Sequence, residues 1–194
     1  MTRYDADDVY CIPGSTVLKN KAGITDQKLL DEFEGDFTAI RLLEITQNPV
    51  KGSFDLTHLC KIHQYLFQDI YDWAGEIRSV DITRGESRFC NVRHIQSYSK
   101  TVFSNLAAEK YLVKLEPKHF ANRLAHYLSE INAIHPFREG NGRVQRLFIS
   151  QLAGEAGYSL DYSSLNQTEL YPVMQESFLG NLQPLSDLIY KIID

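Results

Sequence analysis

The chemically richest stretch of the 194-residue chain is His135-Pro136-Phe137-Arg138-Glu139-Gly140-Asn141-Gly142-Arg143-Val144-Gln145-Arg146. Pro136 disfavours the α conformation at the residue before it, so a helix leading into this stretch must end at His135 and present the imidazole at its terminus. A histidine there can take up a proton near neutral pH. Glu139 supplies a hard carboxylate oxygen of the kind Mg²⁺ prefers, and Mg²⁺ normally arrives together with phosphates. Gly140-Asn141-Gly142 opens a further helix, where positions without side chains let backbone N–H groups approach an anion and the helix dipole favours negative charge. Arg143 and Arg146, at i and i+3, project two guanidinium groups from one helix face. Each feature alone has an ordinary structural reading: a capping or core histidine, a turn, a solvated arginine pair. A base, a carboxylate, an anion nest and two cations in twelve residues instead describe a site for a phosphate-bearing substrate.

The elements that must position these groups are helical. From Thr25 to about Gln47, Leu30, Phe33, Phe37, Ile40 and Leu43 recur at three- and four-residue spacing, with Thr25 or Asp26 available as N-cap. A second helix is predicted from Asp55 to Trp73, closed by Gly75, and a third from His94 to Glu109. Pro117 suits a first helical turn and opens a strongly periodic stretch of Phe120, Leu124, Tyr127, Leu128, Ile131 and Ile134. After the twelve-residue stretch comes a helix through Leu152 that stops near Gly154 to Gly157, then two more around Leu170 to Phe178 and Leu182 to Ile192. One region breaks the pattern: EIRSVDITRGESRFCNV, residues 76–92, reads as a β-hairpin or extended flap. The predicted fold class is all-α, a helical bundle with one small β-hairpin. His58 and His63 diverge around their helix and read as partly buried or surface residues, while Tyr71 and Trp73 read as core. His119 and His126 lack the tight spacing and the CxxC partner a zinc site would want.

Composition bounds the class. With 43% hydrophobic residues the chain can bury one sizeable core, and one domain is expected. Three widely spaced cysteines form no CxxC pair and favour a reducing compartment. The start MTRYDADDVY lacks the basic-then-apolar pattern of a secretory signal, and no apolar run is long enough to span a bilayer, so no membrane contact and a cytoplasmic location are expected. A net charge of −5 provides no cationic field for a phosphate backbone, which argues against direct nucleic-acid binding.

The segment His135 to Arg146 fills every specified position of HxFx(D/E)GNGRxxR and resembles the signature of the Fic family, whose members transfer a nucleotide monophosphate, usually AMP from ATP, to a protein hydroxyl. The resemblance runs from about Leu56 to Ile192, including DLTHLCKIHQYLFQDIYDWAGEIRSVDI and LAHYLSEINAIHPF. It implies a Fic-type helical bundle with a core over about residues 55–192, and an N-terminal extension and helix over 1–54 packed on it. Residue by residue it implies that His135 deprotonates a Ser, Thr or Tyr hydroxyl, that Phe137 anchors the loop, and that Glu139 binds Mg²⁺. Gly140, Asn141 and Gly142 would form the anion hole, Arg143 and Arg146 would bind the β- and γ-phosphates of ATP, and Asn132 and Tyr171 would line the nucleotide site, Tyr171 against the adenine. Capping and core packing are the respective alternatives for those two. The flap residues Ile82, Thr83, Arg84, Gly85, Glu86, Ser87, Arg88 and Phe89 would dock an extended segment of the target protein by strand addition.

Many Fic proteins restrain themselves with an inhibitory helix bearing Ser/Thr-x-x-x-Glu-Gly/Asn, whose glutamate pairs with the second motif arginine. Here Glu precedes Gly or Asn only at Glu34-Gly35 and Glu139-Gly140, with Leu30 and His135 four residues earlier, so neither fits. The chain therefore resembles small Fic toxins restrained by a separate antitoxin chain, whose glutamate would be aimed at Arg146. For that class the resemblance implies the toxin of a toxin–antitoxin pair acting on DNA gyrase or topoisomerase IV. Transfer of another group (UMP, phosphocholine or phosphate) or a non-catalytic Fic-fold binding module are the alternatives. The intact Gly140-Asn141-Gly142-Arg143 argues against phosphate transfer, and the retained charged positions argue against the module.

Overall fold

The structure, a computed structural model, describes residues 9–84, 87–162, 165 and 167–194. Among them the chain forms seven α-helices: α1 (Gln27–Gln47), α2 (Leu56–Phe67), α3 (Ile95–Ala108), α4 (Pro117–Ile134), α5 (Asn141–Ala156), α6 (Gln167–Phe178) and α7 (Gln183–Ile192). A two-stranded antiparallel ladder, β1 (Thr83–Arg84) and β2 (Ser87–Arg88), pairs Thr83 with Arg88 and Arg84 with Ser87. The all-α bundle with a small hairpin is therefore as predicted, and no described helix is long and apolar enough to cross a membrane.

The central element is α4. Pro117 occupies its first turn, and Phe120, Ala121, Leu124, Ala125, Tyr127, Leu128, Ile131 and Ile134 are all buried, on more than one face. It is enclosed by α3, α5, α6 and α7. Burial of each large apolar side chain contributes about 1.5–3 kcal/mol, so α4 and the loop that follows it rest on a fully buried part of the core. Gly157 ends α5 in the left-handed conformation, φ 93°.

Two helices differ from the sequence reading. In α1 the cap is Asp26, which accepts from the Leu29 N–H at 2.9 Å. The buried positions, however, are Leu30, Glu34, Thr38 and Ile45, while Phe37, Ile40 and Leu43 of the predicted apolar stripe are 36%, 55% and 69% exposed. Periodicity shows that a helix has two faces, but the partner decides which one is covered. Here α1 turns Glu34 and Thr38 toward polar groups next to α2 and α5. In α2 the helix ends at Phe67, six residues before the predicted Trp73, because the Ile70 and Tyr71 N–H groups both turn back onto the Phe67 carbonyl. His58 and His63, predicted to be partly buried or at the surface, are both buried. The His58 ring bonds the Val50 carbonyl at 2.8 Å. Tyr71 and Trp73 are in the core, as predicted, with their rings stacked 4.3 Å apart.

Candidate active site

Helix α4 terminates at His135, which adopts φ 45° and ψ 62°. This left-handed conformation is one histidine tolerates better than most side chains, and Pro136 rules out helical continuation. The turn is fastened by Arg78, one of the most deeply buried side chains in the protein. Its guanidinium donates to the carbonyl of His135 at 2.9 Å, and to those of Val80 at 2.7 Å and Cys90 at 2.5 Å. One cation thus joins the end of α4 to both ends of the hairpin segment, and satisfies carbonyls that the helix terminus leaves without partners. Asp81 lies 3.7 Å from the same guanidinium.

The His135 ring is oriented on two sides. Its Nδ1 is 3.1 Å from the carbonyl of Asn132, and a carbonyl can only accept, so Nδ1 carries the hydrogen and Nε2 the lone pair of the neutral ring. Phe89 stacks on the imidazole with centroids 3.7 Å apart and planes 18° apart. Phe89 and Ile82, predicted as part of the docking edge, are instead buried with Val80 and Phe178 in a small apolar cluster beneath the hairpin. Thr83 and Arg88 pair above them, with Arg88 exposed. Gly85, Glu86 and the side chains of Arg84 and Ser87 lie outside the described residues.

The loop from Phe137 to Gly142 is shaped from below. The buried Phe137 ring stacks on His63 at 4.0 Å. His63 accepts from the Gly75 N–H through Nδ1 at 2.7 Å and donates from Nε2 to the Glu139 carbonyl at 3.1 Å. Burial, helped by the Arg143 charge and opposed by the Glu139 carbonyl, pushes its pKa down to about 3, so the ring is neutral and its tautomer fixed. Asn141 is spent on the loop itself: its Oδ1 accepts from the Phe137 N–H at 2.9 Å and its Nδ2 donates to the Phe137 carbonyl at 2.8 Å. Gly140, at φ 81°, packs so tightly on Phe67 that a Cβ there would enter the ring.

These elements enclose a cavity of about 250 Å³. Of the residues singled out from sequence, Asn132, His135, Glu139, Gly140, Gly142, Arg143, Arg146 and Tyr171 share its wall, together with Phe89. Phe137 and Asn141 lie behind the wall, and none of the described residues from Ile82 to Arg88 reaches it. Tyr171 is 44% exposed, so it lines the cavity and is not packed in the core. Glu139 Oε1 accepts from the Gly140 N–H at 2.9 Å and stands 3.8 Å from Arg143 Nη2.

The two arginines differ in their surroundings. Arg143 donates to Glu34 Oε1 at 2.5 Å and to Thr38 Oγ1 at 3.2 Å, and its guanidinium carbon sits 4.7 Å over the Phe67 ring. Arg146 is half-buried, with no ion pair to a carboxylate among the described residues. Burial lowers its pKa and the Arg143 charge adds to that, with Tyr162 opposing. Its Nη1 lies where a Cβ on Gly142 would be 3.5 Å away, which places the cation beside the glycine nest.

Sequence reasoning did not find Arg78, His63, Glu34, Tyr71 or Gln145. Gln145 is buried on the cavity wall with its Nε2 unpaired among the described residues. Its place inside the motif was the available signal. For Glu34 the signal was a pair of polar residues, Glu34 and Thr38, one turn apart in an otherwise apolar-periodic helix. Nothing in the sequence marks Arg78, whose partners are backbone carbonyls far along the chain.

The Fic/DOC family matches residues 53–153. Protein adenylyltransferase VbhT of Bartonella schoenbuchensis is 42% identical over 192 residues, which cover 98% of this chain but 40% of VbhT, so the chain spans less than half of that relative. "Probable protein adenylyltransferase y4lH" of Sinorhizobium fredii is 42% identical over 195 residues and the full length of both proteins. Among solved structures, the BepC protein of Bartonella tribocorum with bound AMPPNP superposes with a TM-score of 0.88 at 29% identity, covering 95% of this chain and 96% of that one.

Proposed function

Because the chain belongs to the Fic/DOC family, we propose that it is a protein adenylyltransferase, transferring AMP from ATP to a Ser, Thr or Tyr hydroxyl of a target protein. The observation that carries this reading is the single wall shared by His135, Glu139, Gly140, Gly142, Arg143 and Arg146. Nε2 of His135 takes the proton of the target hydroxyl as its oxygen bonds to the α-phosphorus, and pyrophosphate leaves with the electrons of the broken P–O bond. The backbone at Gly140 and Gly142 and the two guanidinium groups hold the β- and γ-phosphates, so catalysis consists of orientation, charge stabilisation and one proton transfer. BepC, a relative by structure, was solved with bound AMPPNP, which supports ATP as the donor.

Mg²⁺ fits this donor set. Glu139 presents a carboxylate on the wall, and among the described residues no cluster of three or more metal-ligating side chains accompanies it. One carboxylate suits an ion that keeps waters and phosphate oxygens as its other ligands. When bound, it supplies charge neutralisation across the phosphates.

Tyr171 offers an aromatic face to the adenine, and Asn132 a polar group beside it. The target docks by strand addition on the β1–β2 hairpin, which Ile82 and Phe89 anchor from beneath. Arg146, without a carboxylate among the described residues, is the group a separate antitoxin chain would engage with a glutamate. On this reading the protein is the cytoplasmic toxin of a toxin–antitoxin pair, and type II topoisomerases are the target class that family kinship suggests. Incubated with α-labelled ATP, Mg²⁺ and a bacterial lysate, the purified chain should label a protein band, and His135→Ala should weaken it by about 10²–10⁴-fold. A band of equal strength with His135→Ala overturns the mechanism.

A further inference from the structure

Helix α1 lies outside the residues that match the family, yet it reaches the site through one buried carboxylate. Glu34 Oε1 is 2.5 Å from Arg143 Nη2, and its Oε2 accepts from the Tyr71 hydroxyl at 2.5 Å. One turn on, the Thr38 hydroxyl donates to the Glu34 carbonyl at 2.7 Å, which leaves its oxygen lone pair directed to Arg143 Nη1 at 3.2 Å. The Phe67 ring supports the flat face of the guanidinium at 4.7 Å.

We propose that Glu34 is a positioning residue for the transfer reaction, fixing the Arg143 guanidinium in orientation, while Arg146 is the cavity cation with no ion-paired carboxylate among the described residues. This rests on the adenylyltransferase reading above. A guanidinium has five N–H donors in one plane. Glu34 and Thr38 set that plane from the side of α1, and Phe67 sets its tilt. Glu34 itself does not line the cavity, whereas Arg143 does, so the carboxylate grips the guanidinium from behind and leaves the place of a phosphate open. The Tyr71 hydroxyl fixes the second carboxylate oxygen so that the first cannot swing away. Burial, together with the adjacent Glu34 charge, raises the Tyr71 pKa, so the phenol keeps the proton this bond requires. Orientation held this way matters for in-line attack, where a displacement of about 1 Å costs about 10²-fold in rate. It also divides the labour of the motif arginines: Arg143 is paired and aimed, while Arg146, with no ion-paired carboxylate among the described residues, attracts.

The test is steady-state kinetics of Glu34→Gln and Tyr71→Phe, with thermal melting and a side-chain NMR signal of Arg143 Nε–H alongside. Glu34→Gln keeps the shape and loses the charge; Tyr71→Phe keeps the charge and frees the carboxylate. Both should stay folded at the assay temperature although they melt about 3–10 °C below wild type, keep KM for ATP within about threefold, and lose about tenfold or more in kcat. The Arg143 signal, sharp in the wild type, should broaden in both. Activity of Glu34→Gln at or above wild type, a raised KM with unchanged kcat, or an Arg143 signal as sharp as in the wild type would each overturn the proposal. The NMR result does not depend on the reaction, so a wild-type chain unable to adenylylate any protein would sink the functional reading while the Arg143 signal still decides the role of Glu34.

Discussion

At the scale of single residues, the two glycines of the motif separate folding from binding. Gly140 needs its positive φ and has no room for a side chain against Phe67. Gly142 is exposed within α5, and an added Cβ would make only an ordinary contact, 3.5 Å from Arg146 Nη1. Gly142→Ala should therefore leave the melting temperature unchanged or slightly raised, since alanine suits a helix better than glycine by roughly 0.8–1.0 kcal/mol. It should nonetheless crowd the nest where an anion approaches the backbone. Titration of the variant with Mg-ATP is expected to give a Kd at least about tenfold weaker, about 1.4 kcal/mol. Unchanged affinity would mean that phosphate does not bind at this nest. At this scale the sequence was most legible, because His135, Glu139, Gly142 and the two arginines are close in the chain and the helix start gathers them. What it could not give was the company each keeps: Glu34 and Arg143 are 109 residues apart, and only folding brings them together.

At the scale of elements, the hairpin and the end of α4 behave as one piece because Arg78 holds both. Replacing it with methionine fills much of the volume but strips donors from the buried carbonyl of His135 and the part-buried ones of Val80 and Cys90. Leaving a buried acceptor unsatisfied costs about 1–3 kcal/mol, so Arg78→Met should lower stability by about 3 kcal/mol or more. Amide exchange should accelerate at Cys90, whose N–H donates to the Ala133 carbonyl at 2.9 Å, and at Arg78 itself, which donates to Pro136. Protection unchanged at those two amides would show that the backbone ladder suffices without the guanidinium. Helix existence was legible for every element, but orientation was not. The apolar spacing of α1 was real, yet Phe37, Ile40 and Leu43 face outward because the partners of Glu34 and Thr38 claim the other face. For α2, the apolar residues beyond Phe67 continue the pattern in sequence while the backbone turns away, a choice made by packing of Ile70, Tyr71 and Trp73 into the core.

At the scale of the whole molecule, stability should fall with acidity in a window that His63 defines. Its pKa is about 6.5 when unfolded and about 3 when folded, so below pH 6.5 the unfolded chain takes up a proton that the native state refuses. Its contribution is full above pH 6.5 and is lost as pH drops toward 3, at up to about 1.4 kcal/mol per unit. Urea melts between pH 7.5 and 4.5 should show this slope, and His63→Gln, less stable at neutral pH, should show a shallower one; parallel slopes would assign the acid sensitivity to other groups. The all-α class was readable from composition and periodicity, since a chain of this length with such regular apolar spacing has few other ways to bury its surface. Buried histidines were not, because burial of a polar ring depends on partners such as the Gly75 N–H and the Glu139 carbonyl that appear only in three dimensions. Arg146 has a last consequence at this scale. A half-buried cation with no ion-paired carboxylate among the described residues is a standing cost to the empty protein, and any polyanion that reaches it recovers part of that cost by mass action. If the chain takes ATP as proposed, the concentration of triphosphate around it governs how often it opens to proteases, and the lifetime of the protein becomes a readout of the pool it draws on.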